Sequence, residues 1–154
     1  MPLTRPELDA LPSYRPGRNP ADLARDLGLP AAIKLASNEV PYGPLPGVAE
    51  AVAEAVAGTH RYPDLGAAAL REKLSERYGV PSEQLVTGCG SVALAEHIAK
   101  ATALPGDEIL YSWRSFEAYP IIAAGSGATS VQIPNTASHA HDLVAMAAAV
   151  TERT

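Results

Sequence analysis

The sequence predicts an α/β fold built on a largely parallel sheet, and three features of its second half carry that prediction. Strand-like segments EQLVTG, DEILYS and ATSVQIP alternate with helical stretches at 92–103 and about 116–125, an order that suits parallel strands with helices packed on them. The helix from Val92 is apolar almost all round, with Glu96, His97 and Lys100 on a narrow polar face, so it is expected to be covered on most sides. Between the first strand and that helix lies Gly88-Cys89-Gly90-Ser91, a turn able to build an anion site from backbone alone. Ser91 is placed to cap the helix and leave its first N–H groups free. A phosphate there gains about 0.3–1 kcal/mol from the helix dipole, rising to about 2 when partly buried.

The remaining elements follow in order. Residues 1–19 are proline-rich and read as an irregular arm. PADLARDLG (20–28) is a short helix closed by Gly28. IKLASNEVPYGPLP (33–46) gives a short strand, then a loop shaped by Pro41, Gly43, Pro44 and Pro46. GVAEAVAEAVAG (47–58) is helical, with Val48, Val52 and Val56 along one line. After the THRYPD turn a second amphipathic helix runs from about Gly66 to Tyr78, with Leu70 and Leu74 as its apolar line. Pro120 fits a helix without bending it only in the first turn. DLVAMAAAVTERT closes with a helix that Asp142 can N-cap, and an alternating sheet would place another strand after it.

Bulk properties exclude several classes of function. The 154 residues suit one domain of ordinary size, and 47% hydrophobic against 19% charged residues marks a globular chain. A net charge of −5, with no basic cluster among aromatics, argues against nucleic acid or an anionic membrane as partner. The single cysteine excludes an internal disulfide and suits a reducing cytoplasm. The first residues hold no apolar core, so no signal peptide is expected. The stretch 118–140 is broken by Pro120, Gly125, Gly127 and Pro134, which makes it a poor membrane span.

Each candidate site residue has an ordinary reading beside the functional one. GCGSVA fits a loose dinucleotide fingerprint, but no acidic residue follows the second strand to hold a ribose. WRSFEAYP (113–120) leaves that strand at the carboxyl edge where α/β sheets bind ligands, so Phe116 either faces the same ligand as the glycine turn or fills a core. Tyr62 precedes a proline in an extended turn, either as partly buried surface or with its hydroxyl on a phosphate. Asn38 and Glu39 lie in the constrained loop, where Asn commonly bonds its own backbone. His139 and His141 read as solvated loop residues, and Cys89 has no base to pair with, so neither metal nor thiol chemistry is expected.

Taken together, IKLASNEVPYGP, RYPD, LVTGCGSVALAEHI and DEILYSWRSFEAYP resemble, in order and spacing, the histidinol-phosphate aminotransferase family of fold-type I enzymes dependent on pyridoxal phosphate (PLP). The match runs from about residue 33 to residue 154. The resemblance implies that backbone around Gly90, Ser91 and Val92 holds the cofactor phosphate and that Phe116 stacks on the pyridine ring. It further implies that Tyr62 reaches the cofactor phosphate of a neighbouring subunit in a homodimer, and that Asn38 and Glu39 close near the substrate. Residues 1–46 would then be the arm and substrate-side loop, and 47–154 the first part of the large PLP-binding domain.

Two departures refine this expectation. Histidinol-phosphate enzymes typically carry an acidic residue where Val92 stands, and a different sequence where WRSFEAYP stands. Both versions look more like actinobacterial aromatic amino acid aminotransferases, which favours a phenylalanine or tyrosine type substrate over histidinol phosphate. The family also places its Schiff-base lysine, and the partners of the pyridine nitrogen and substrate carboxylate, beyond residue 154. Lys34, Lys73 and Lys100, the three lysines present, do not match that position. The chain therefore reads as the N-terminal part of an aminotransferase, inactive by itself, with a non-catalytic association module as the rival reading.

Overall fold

The computed structural model describes Asp9, Leu11 and residues 17–154, so most of the expected arm lies outside the described residues. These form two compact units, one within Arg15–Arg77 and one built on Tyr78–Thr154, to which Asp9 and Leu11 also belong.

In the first unit, helix α1 (Pro20–Leu27) starts where Asn19 accepts a hydrogen bond from the Ala21 N–H and ends at Gly28, whose N–H donates to the Arg25 carbonyl and whose φ of 64° lets the Leu29 N–H reach the Ala24 carbonyl. Helices α2 (Val48–Val56) and α3 (Ala68–Tyr78) fall where the apolar spacing places them. Val48, Val52 and Val56 nevertheless all remain exposed. The expected strand at IKLAS does not form. A strand exists only as a paired ladder, none of the described segments pairs with it, and positive φ at Ser37 and Asn38 turns the chain immediately afterwards.

Asp64 of the RYPD turn fixes the start of α3. Its carboxylate accepts from the Gly66 N–H at 3.0 Å and the Ala68 N–H at 2.7 Å. Those two backbone bonds, aided by Arg71, hold its carboxyl below the ordinary value of 3.8. Because the folded-state value is lowered, the stabilisation is complete above 3.8 and is lost as pH falls through the folded value. Asp64→Asn should therefore loosen the start of α3 at neutral pH. NMR titration of the Gly66 and Ala68 amides should show an acid transition in the wild type that the variant lacks.

The second unit holds the sheet. Strands β1 (Glu108–Trp113) and β2 (Thr129–Pro134) pair in parallel, with Glu108 opposite Thr129 and Trp113 opposite Pro134. Helix α4 (Gly90–Thr102) packs against helix α5 (Ala118–Ser126), which crosses between the strands and contacts both; helix α6 (Leu143–Ala148) lies on β1. Pro120 does occupy the first turn of α5, and Gly127, with φ 83°, ends that helix and feeds the chain into β2. Asp142 caps α6 by accepting from the Ala145 N–H. The small core comprises Ala99, Tyr111, Ile122, Ala123 and Ala128, with Ser112 the buried polar residue among those described.

Two expectations change here. The EQLVTG segment forms a 3-10 turn at Ser82–Gln84 and then an extended but unladdered stretch, because β1 pairs with β2 and no third described strand flanks either. Helix α4 buries only Ala99, and Ile98 is 61% exposed, since α5 covers one side of it. Among the described residues no helix is long and apolar enough to cross a membrane.

Candidate functional site

The glycine turn is built by close approach and by a left-handed residue. A Cβ on Gly88 would lie 2.9 Å from Leu94 Cδ2, so glycine lets the turn settle onto its own helix. The Gly90 N–H donates to the Gly88 carbonyl at 2.8 Å, and Gly90 itself has φ 81°. That conformation starts α4 two residues earlier than the sequence suggested. Cys89, and not Ser91, is the N-cap, and no side chain caps the helix. The Ser91 and Val92 N–H groups have no protein acceptor among the described residues, and both residues are exposed. Two unpaired donors at the positive end of a 13-residue helix suit an anionic oxygen cluster.

Phe116 leaves the carboxyl end of β1, 47% exposed. Its ring meets Tyr119 edge-on, with centroids 5.6 Å apart, and Tyr119 leans on Tyr111 at 5.4 Å. One side of the ring is thus propped by aromatics while much of its surface stays open. Val92 and Phe116 line the same concavity, of ≈ 480 Å³, together with Glu96, Ile121 and Ile122. Glu96 is the charged group of that lining, and Lys100 donates to it at 2.6 Å. This bond, with the lysine's charge, holds the Glu96 carboxyl below its ordinary value against the opposing effect of burial.

Asn38, Glu39 and Tyr62 belong to the other unit. Asn38 takes a positive φ of 49°, which asparagine tolerates, and Glu39 accepts from Lys34 at 2.6 Å. Tyr62 is fully exposed at 101%. Each of the three lysines is ion-paired, Lys34 with Glu39, Lys73 with Glu76 and Lys100 with Glu96. Among the described residues no group of three or more His, Cys, Asp or Glu could hold a metal.

Sequence reasoning missed Tyr119, Ser112 and Asn135. The first had a local signal, three residues from Phe116 on one helical turn. The other two meet across the sheet, where spacing gives no hint.

Residues 30–154 match the family described as aminotransferase class I and II. The chain belongs to that family. Among similar proteins of this aminotransferase class, an aromatic amino acid aminotransferase of Streptomyces avermitilis is 55% identical over 99% of the chain, which covers 41% of that protein. Another, of Rhodococcus jostii, is 49% identical, again over 99% of the chain and 40% of the relative. The fold resembles a crystal structure of histidinol-phosphate aminotransferase from Sinorhizobium meliloti in complex with pyridoxal-5'-phosphate, with a TM-score of 0.81 and 25% identity over 99% of the chain and 40% of that structure. The chain spans about 40% of the length of these aminotransferases. Family and fold are thus as the four sequence motifs implied.

Proposed function

We propose that this chain contributes the cofactor-phosphate and ring-stacking side of a PLP-dependent enzyme that moves an amino group between an aromatic amino acid and a 2-oxo acid. The supporting observations are the unpaired Ser91 and Val92 N–H groups at the start of α4 and the open Phe116 ring, which lines one concavity with Val92. These residues fit PLP. Gly90, Ser91 and Val92 would hold its phosphate at the helix terminus, and Phe116 would stack on its ring. When bound, PLP supplies the electron sink for chemistry at the amino acid's α-carbon.

The chain's own residues bind and orient. Lys34, Lys73 and Lys100 each carry a carboxylate partner, unlike the desolvated amine that nucleophilic catalysis needs. We therefore assign no catalytic lysine within residues 1–154. Tyr62, exposed on its turn, would reach the phosphate of a neighbouring subunit in a homodimer, with Asn38 and Glu39 on the substrate side. Residues 1–46 would serve as arm and loop, and 47–154 as the first part of the large domain, in a cytoplasmic enzyme.

Relatives named for aromatic amino acids favour that substrate class, as does apolar Val92. The solved structure favours histidinol phosphate as the alternative. Transamination assays on the protein at its natural length, with phenylalanine, tyrosine and histidinol phosphate as donors, separate the two. Higher kcat/KM with the aromatic donors is expected, and preference for histidinol phosphate would reverse the assignment. Protein that takes up no PLP in an absorbance titration would remove the reading altogether. Phe116→Ala should weaken PLP retention by about tenfold, the scale of a lost aromatic stack with its burial. Equilibrium dialysis checks this, and unchanged affinity would remove the stacking role.

A further inference from the structure

We propose that Asn135 is a positioning residue that sets the β1–α5 loop so that Phe116 presents its ring to the ligand, an inference that rests on the PLP reading above. Asn135 stands just beyond β2, yet its polar groups turn to the end of β1. Its Oδ1 accepts from the Ser112 hydroxyl, its Nδ2 donates to the Arg114 carbonyl at 2.8 Å, and its backbone N–H donates to the Trp113 carbonyl at 3.0 Å. The last two residues of β1 and the first of the loop are therefore tied to one side chain and its backbone. Ser112 is 3% exposed, so removing the Asn135 side chain takes away the partner of a buried hydroxyl.

The clamp continues toward Phe116. The Ser115 hydroxyl donates back to the Ser112 carbonyl, and the Tyr119 N–H donates to the Phe116 carbonyl at 3.1 Å. Phe116 is thus bracketed between Asn135-anchored residues and the first turn of α5. Tyr119 props one side of the half-exposed ring, and the loop backbone sets where that ring stands. An asparagine suits this place because it needs both an acceptor for Ser112 and a donor for Arg114. Aspartate would supply the first and set a second oxygen against the Arg114 carbonyl.

The test is a double-mutant cycle on the protein at its natural length, with PLP affinity read by equilibrium dialysis. Asn135→Ala should weaken PLP binding about fivefold in the wild-type background, the scale of one or two lost hydrogen bonds, and less than about twofold when Phe116 is already alanine. Losses that simply add would overturn the positioning role. A second reading needs no cofactor: tryptic cleavage after Arg114 should quicken in Asn135→Ala while cleavage elsewhere is unchanged, and an unaltered rate there also overturns it. Should Asn135→Ala fold poorly, Ser112→Ala removes one arm of the clamp and should shift both measurements in the same direction. Wild-type protein that binds no PLP overturns the functional reading as well. That result differs from wild-type binding with additive losses, where positioning alone fails.

Discussion

Gly90→Val is expected to reduce PLP affinity by about 100-fold, the scale of losing two hydrogen bonds to a charged group, while Gly90→Asn keeps most of it. The cause is backbone and not collision. A Cβ built at Gly90 meets nothing within 4 Å, but φ there is 81°. A residue with a side chain pays about 1–2 kcal/mol to stay in that region, a β-branched one more, and asparagine least. Valine relieves the strain by rotating the backbone between Cys89 and Ser91, and the N–H groups proposed to hold the phosphate begin at that point. The neighbouring glycine offers a contrast. Gly88→Ala presses on the Leu94 side chain at 2.9 Å, so it should lower the melting temperature with less effect on binding. Dialysis against PLP and calorimetry on both variants separate the two roles. Gly90→Val binding within threefold of wild type would mean that these amides do not hold the cofactor.

The same turn shows what could be read from sequence and what could not. Helices were legible because their boundaries are local: Asn19 and Gly28 bracket α1, Gly127 ends α5 and Asp142 starts α6. The position of the α4 N-cap was not, because the left-handed φ at Gly90 begins the helix before Ser91 can cap it. β1 and β2 were legible from their composition, but IKLAS and EQLVTG carry similar composition and form no ladder. Pairing depends on a neighbour elsewhere along the chain, and composition is silent about it. The site divides in the same way. Ser91, Val92 and Phe116 stand directly after a glycine turn and a strand end, positions that local sequence marks. Asn135 could not, since its side-chain partners Ser112 and Arg114 lie 23 and 21 residues earlier.

Ala123→Asp should prevent folding of the unit that carries the turn and Phe116. Ala123 is 0% exposed, on the helix that joins α4 to both strands. Its carbonyl also takes part in closing α5, accepting from the Ala128 N–H at 2.9 Å and from the Ser126 hydroxyl at 2.9 Å. A carboxylate at this position loses water on every side, a cost of several kcal/mol against a total stability of about 5–15 kcal/mol. Protonation offers partial escape, so the variant should be least stable at neutral pH and recover as pH falls. Ala123→Ser is the control, because a hydroxyl of nearly the same volume can bond the carbonyl one helical turn back. It should cost about 1 kcal/mol or less and leave PLP binding intact. Soluble yield and calorimetry across pH measure both variants. Equal stability of the aspartate variant and the wild type at neutral pH would mean that α5 does not seal the core as its burial indicates, and Phe116 would then lose the rigid base on which its proposed role depends.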